Sequence, residues 1–546
     1  MTEPKFRFDE IMKQLSKDIL EASPMLATQL GCHDYDHLLH DPSPEGRKRC
    51  LELKREALEK IEALELLEQP ELEEDKKLDH ELLLWDKSLE AFYLEKAKIH
   101  LKSSNPVEEF AEALHPLFAR EYAPLQERCE AMISRLRGAP RFFAKSKECF
   151  RNPVDVFVEE QINCSRQSAL LIDEIVDNIS PRLSSTFSED LESCAKIAKE
   201  SLEDFSDWLS NDVLPRASSN VSLGRELFEE LLDSRRLGFS LEEIREIGRS
   251  EFQRLQKECQ GESAKLCPGS TFEETIAELN REGPKDFQEI IQAYEEAISL
   301  ARNLVEEHSF ATIPENEELV VEATPIHLES SIPSAAYFPP EGYAREPYRG
   351  TYLVTEPKSK EQFAEHYPAS IVNVSFHEAY PGHHLQALRA IENPSPFRPL
   401  IQGLEFIEGW AHYCEEEMYE LAPETKRGLR LAQLCDARYR ALRVELDIGL
   451  HCGDIDFQQG QAMMAEKLGV SKETARAEIT WYCQAPSYAL SYLMGKVLLR
   501  RLRKKAEEMQ KDSFQSKVFH DHLLFQGNLP CWAQERALAN LPGVDV

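Results

Sequence analysis

The chain has 546 residues, 42% of them hydrophobic, and a formal charge of −34. That length exceeds one small core and calls for two or more lobes. The acidic balance argues against nucleic acid, whose phosphates require clustered Lys and Arg, and against anionic membrane surfaces.

The opening MTEPKFRFDEIMKQL has no basic region leading into an apolar core, so no signal peptide is visible. No run approaches the roughly 18 apolar residues of a membrane helix. The 13 cysteines are scattered, with no CxxC pair, which points to reduced thiols in a cytoplasmic protein. From Phe6 to about Leu214, apolar residues recur at three- and four-residue spacing, predicting successive amphipathic helices. Breaks are expected at His40–Gly46, Pro70, Asn105-Pro106 and Gly138–Pro140, with later helices over Val154–Ile175 and Ser188–Leu209. This N-terminal lobe, 1–215, reads as scaffold, and the polar stretch Asn211–Ser222 marks a boundary.

A helical connecting region is expected over 216–310. Within it Ser240 and Glu243 form a capping pattern, and another helix spans roughly Pro284 to His308. The texture changes over Glu318–Thr355, where ELVVEATP, SAAYFPP and RGTYLVTE are short β-branched and aromatic runs bounded by Pro and Gly. They predict a small antiparallel sheet of two or three strands that opens a region 311–546 carrying the chemistry. Tyr337, Tyr348 and Tyr352 are candidate substrate-contacting residues there.

HEAYPGHHLQ, His377 to Gln386, follows an apolar lead-in and places three histidines and Glu378 around a Pro-Gly pair. Neutral imidazole suits zinc, and an adjacent carboxylate can serve as a base. An HExxH helix would put the second histidine at position 381, which is proline here. In an unbroken helix six or seven residues rise ~9–10 Å, too far for two rings to share an ion. Zinc binding therefore requires a bulge or break at Pro381-Gly382, after which either His383 or His384 returns to His377; angle alone favours His384. Downstream, Glu408, His412 and Glu415 form one helical stripe, and Asn393–Pro396 supplies a turn between the two helices. His, His and Glu408 would leave a fourth position open, as a catalytic zinc site requires.

Arg443, Asp447 and His451 form a further stripe on a helix predicted over about Lys426–His451. Its bland reading is an i,i+4 pair worth a few tenths of a kcal/mol. Its functional reading has His451 donating to substrate, Asp447 fixing that ring, and Arg443 holding a peptide carboxylate. In TWYCQAPSYALSYLMGK, Tyr488 and Tyr492 share a face and offer hydroxyls to an oxyanion, while Gly495 admits a close neighbour.

HEAYPGHHLQ, EGWAHYCEEEM, DIGLH and QAPSYALSYLMGK together resemble the signatures of a bacterial and archaeal family catalogued as domain of unknown function 885, across most of the chain. That family resembles the mostly helical zinc peptidases related to angiotensin-converting enzyme and thimet oligopeptidase. The resemblance implies a mainly α fold, with two helical lobes around a deep cleft and a small sheet beside the zinc-binding helices. A glycine directly before the second histidine ligand in those relatives maps onto Gly382-His383, against the angular preference for His384. It further implies zinc held by His377, His383 or His384, and Glu408, with Glu378 as base and Tyr492 and His451 at the oxyanion. Arg443, Tyr488 and Tyr352 would contact substrate, and short peptides would be cut at an amide. The rival expectations are a zinc amidohydrolase of non-peptide amides and a catalytically silent helical binding protein.

Overall fold

The computed structural model describes residues 4–68, 72–329, 332, 334–343, 347–423 and 425–543, and the fold is mainly α-helical. The chain divides into two compact units. One is Met1–Val221 with Pro325–Ser330, and the other is Ser222–Thr324 with Ser331–Val546.

Among its described residues the first unit is mainly helical, including Pro106–Ala119, Leu125–Ser146, Asp155–Ile179 and Ser185–Trp208. The break expected at Pro70 lies outside the described residues. Their apolar stripes converge on a core around Phe110, Leu136, Phe143 and Phe205, with Phe143 and Phe205 rings 5.0 Å apart. Buried Arg135 is satisfied inside this unit by the Leu38 carbonyl at 2.9 Å and Thr28 Oγ1 at 2.6 Å. The expected break at Gly138–Pro140 does not occur: Pro140 lies inside the helix Leu125–Ser146. Ala139, Phe142 and Phe143 are all buried there, so packing outweighs the one amide donor that proline lacks.

The second unit holds every motif singled out above. The capping box at Ser240 is formed in both directions, starting the helix Leu241–Leu266. That helix lies along Leu429–Cys452, and Gly248 makes the approach possible, since a Cβ there would stand 2.7 Å from Val444. The core gathers Tyr352, Phe376, Phe406 and Trp410 beneath the metal-motif helices.

Three strands, β1 (Glu317–Ala323), β2 (Ala335–Phe338) and β3 (Tyr348–Val354), form one sheet in the order β1-β3-β2. The sheet is mixed rather than antiparallel, correcting the sequence-based expectation. β2 pairs antiparallel with β3, but β1 runs parallel to β3. A parallel pair needs a long crossover, and the span from Ala323 to Tyr348 supplies it. The most buried strand, β3, with Tyr352, Leu353 and Val354 buried, takes the centre. Among the described residues no helix is long and apolar enough to cross a membrane.

Candidate metal centre

The first motif helix, Pro368–Glu378, ends one residue after His377, and a second helix, His383–Ile391, begins at His383. The four residues between them turn the chain back on itself, with a cis Tyr380–Pro381 peptide. Gly382 lies against the His377 carbonyl, where a Cβ would be 1.7 Å from the oxygen. Trp410 clamps this turn by donating Nε1–H to the Pro381 carbonyl at 2.8 Å. Trp410 belongs to the third motif helix, Leu404–Leu421, which also carries Glu408. That helix meets Ser491–Gln510 backbone to backbone: a Cβ on Gly409 would be 2.5 Å from Gly495 Cα.

These elements bring His377, His383 and Glu408 together, with one donor atom from each lying within 4.8 Å of the others. Glu408 Oε2 is 3.8 Å from His377 Nε2 and 3.5 Å from His383 Nε2. Donors around one tetrahedral zinc stand about 3.4 Å apart, given metal–ligand bonds near 2.1 Å. Each ring has its other nitrogen engaged. His377 Nδ1 meets Glu415 Oε1 at 2.6 Å, and His383 Nδ1 meets Gln386 Oε1 at 3.2 Å. Both acceptors favour Nδ1–H, leaving Nε2 a lone pair for a cation. Arg440 Nη2 also approaches His377 Nδ1 at 3.2 Å, but it sits 2.9 Å from Glu415 Oε1, the oxygen both groups share. The shorter Glu415 contact sets the tautomer.

The fit to a cation rests on one further atom. Glu408 Oε2 is buried with no hydrogen-bond partner, while Oε1 accepts from the Tyr488 hydroxyl at 2.8 Å. A buried carboxylate oxygen facing two imidazole lone pairs is costly unless a cation sits between them. Burial opposes charge on His377, as does Arg440. Glu408, Glu415 and Glu378 outweigh both and push its pKa up to about 9. The same negative potential that holds a proton there favours a divalent ion. Burial disfavours the charge on Glu408, yet its two histidines hold its pKa well below the usual carboxylate range. The residues present fit zinc, whose preferred donors are imidazole and carboxylate.

Glu378 lies on the same side, its Oε1 3.9 Å from His377 Nε2. His384 is not brought to the cluster. Its Nε2 meets Glu317 Oε2 and its Nδ1 the Tyr337 hydroxyl, both at 2.9 Å, so it ties the second motif helix to β1 and β2. The break at Pro381-Gly382 resets the helical phase, which removes the angular basis for choosing His384. Tyr492 places its ring 6.3 Å from that of His377, beneath Arg443 at 4.5 Å. Arg443 itself donates to the Tyr482 hydroxyl at 2.8 Å and to Glu478 at 3.0 Å. Tyr352 is fully buried on β3, its hydroxyl unpartnered, with burial and then Tyr294 and Glu378 raising its pKa. His451 packs elsewhere, with Nε2 on the Tyr482 carbonyl at 2.9 Å and its ring stacked on Phe228. Its place eleven residues past Arg440 puts it about 16 Å further along the helix. Asp447 accepts from the Ser487 and Leu490 amides at 3.1 Å each, bracing the turn that presents Tyr488.

Sequence reasoning gave no role to Glu415, Arg440, Gln386 or Glu317. Glu415 carried a signal, standing on the stripe of Glu408, and Gln386 stands three residues after His383. Arg440 and Glu317 reach the site only through tertiary contacts.

A family model described as "Bacterial protein of unknown function (DUF885)" matches residues 24–537. No curated protein matches. Among solved structures the chain is similar to "the putative lipoprotein from Colwellia psychrerythraea", at TM-score 0.83 and 19% identity over 99% of each chain. It is also similar to "a putative lipoprotein of unknown function from Shewanella oneidensis", at TM-score 0.76 and 20% identity over 97% of this chain and 99% of that one. At these identities the likeness establishes the fold.

Proposed function

Because the chain belongs to the bacterial family of unknown function DUF885, we propose its function from its own metal centre: a zinc-dependent metallopeptidase that hydrolyses short peptides. The observation that carries this reading is the convergence of two free Nε2 atoms on the unpartnered Glu408 Oε2, with the Glu378 carboxylate beside them. His377, His383 and Glu408 would hold the ion. When bound, such an ion polarises a carbonyl and lowers the pKa of water.

The chain's own groups supply the rest. Glu378 Oε1 accepts a proton from the attacking water and delivers it to the leaving amine. Tyr488 is committed to Glu408, so Tyr492 is assigned to the oxyanion, with the Arg443 guanidinium over its ring holding it in place. Glu415, itself paired with Arg440, fixes the His377 tautomer.

The test combines metal analysis with mass-spectrometric profiling of peptide cleavage by the purified protein, parent against Glu378→Gln. The variant should keep zinc and lose turnover by about 10²–10⁴-fold, the range for removal of a general base. A parent without zinc, or a variant that still cleaves at the parental rate, would sink the reading.

A further inference from the structure

Arg235 is the last residue of the helix Arg225–Arg235, far upstream of every motif singled out in the sequence. Its side chain is buried, as is that of Glu405. Nη2 lies 2.5 Å from Glu405 Oε1, off the hydrogen-bonding direction, so charge binds the pair. Nη1 donates to the Ser487 carbonyl at 2.6 Å and to Ser487 Oγ at 2.5 Å. One guanidinium thus grips two elements that lie far apart in the chain.

Both ends of that grip lead to Glu408. Glu405 precedes it by three residues on the helix Leu404–Leu421, which puts the two on neighbouring turns of one face. Ser487 precedes Tyr488, whose hydroxyl donates to Glu408 Oε1 at 2.8 Å. The contacts close a ring that runs from the ligand helix through Arg235, Ser487 and Tyr488 and back to that helix. Ser487 has a φ of 67°, a left-handed conformation that serine seldom takes without support. Arg235 holds its carbonyl and hydroxyl, and Asp447 holds its amide at 3.1 Å. The Trp481 ring, 4.9 Å from that of Tyr488, backs the same turn. Tyr488 is therefore aimed by its backbone and its neighbours, not by Glu408 alone.

The last torsion of a glutamate side chain is broad, so an unrestrained Glu408 would exchange its two oxygens. With Oε1 held by Tyr488, Oε2 stays towards His377 Nε2 and His383 Nε2, at 3.8 and 3.5 Å. A buried ion pair such as Arg235–Glu405 seldom adds stability over apolar residues of similar volume. What the planar fork of Arg235 adds is a fixed separation between the helix that carries Glu408 and the turn that carries Tyr488.

We propose that Arg235 is a positioning residue of the metal centre: it locks the Ser487 turn to the Glu405–Glu408 helix, so that Tyr488 holds Glu408 in its ligating orientation. This assignment rests on the metal-centre reading and not on the choice of substrate.

Zinc affinity tests it without turnover. The full-length protein is titrated with zinc against a chromophoric chelator, at a temperature where urea unfolding shows each variant folded. Tyr488→Phe, which loses only the hydroxyl, should bind zinc about 10–100-fold more weakly, the range for removal of a group that orients a ligand. Arg235→Lys keeps a charge opposite Glu405 but cannot also span both oxygens of Ser487, and it should weaken zinc about tenfold. Because Arg235 acts through Tyr488, the double variant should bind no more weakly than Tyr488→Phe alone. Should Arg235→Lys fail to fold, Ser487→Gly replaces it, since glycine takes the same φ and keeps the carbonyl but drops the hydroxyl contact. That variant should weaken zinc about threefold, again with no added loss beside Tyr488→Phe. Parental affinity in Tyr488→Phe, or in the folded variant of the Arg235–Ser487 contact, overturns the assignment, as do losses that multiply in the double variant. A parent that binds no zinc removes the metal centre and this assignment together. The expected zinc losses in a protein that cleaves no peptide would leave the assignment standing and remove the peptidase reading.

Discussion

Replacing Gly382 with alanine tests whether the chain reversal itself sets the spacing of the donors. The added Cβ would lie 1.7 Å from His377 O and 2.5 Å from Phe376 O. A carbon and a carbonyl oxygen that are not bonded approach to about 3.3 Å at best. The reversal must therefore open by roughly 1.6 Å. Both opposing atoms are backbone, so no rotamer change relieves the clash. The opening falls between the two histidines, and metal sites tolerate errors of only about 0.2 Å in ligand distance. Gly382→Ala should hold less than about a tenth of the parental zinc after dialysis against a weak chelator, read by elemental analysis, given that sensitivity to ligand placement. It should also lose about 1–3 kcal/mol of stability to overpacking, read by denaturant unfolding. Gly261→Ala is the control, because nothing lies within 4 Å of its Cβ in the helix Leu241–Leu266. It should be neutral or gain up to about 1 kcal/mol from helix propensity. A Gly382→Ala protein with full zinc and parental stability would refute the reasoning.

Two other predictions concern histidines. His383→Gln should abolish stoichiometric zinc, whereas His384→Gln should keep it and cost about 1–3 kcal/mol from the broken Glu317 and Tyr337 contacts; equal zinc loss in both would contradict the assignment. His520 is buried between the Phe310 carbonyl and the Tyr413 hydroxyl, and burial holds its pKa down to about 4 despite the Phe310 bond. Above an unfolded pKa near 6.5 neither state binds this proton. Between that value and about 4 only the unfolded chain takes it up, so stability falls as pH drops through this window and the loss is complete below it. The contribution is on the order of 3 kcal/mol, and urea unfolding at several pH values should show a flatter dependence in His520→Asn. An unchanged slope would assign the acid sensitivity to other groups.

Much of this protein is written locally. Amphipathic spacing gave the helices, Ser240 and Glu243 gave a cap that forms as read, and the distance between Gly382-His383 and Glu408 called for two facing helices. Such features depend on residues within a turn or two of one another, where spacing along the chain fixes spacing in space. Pro140 shows the limit even there, because the packing of Phe142 and Phe143 carries a helix through a residue that reads as a break.

What the tertiary structure alone decided is which groups meet across elements. The sequence called for a break at Pro381-Gly382 but put His383 only narrowly ahead of His384, the resemblance favouring one and helical angle the other; the path of four residues, clamped by Trp410, sends His383 to Glu408 and His384 to Glu317. The direction of β1 and the pairing of Arg440 with Glu415 are settled the same way. These contacts join residues far apart in the chain, and their geometry is set by how whole helices and strands pack, a sum over many side chains that no local pattern contains.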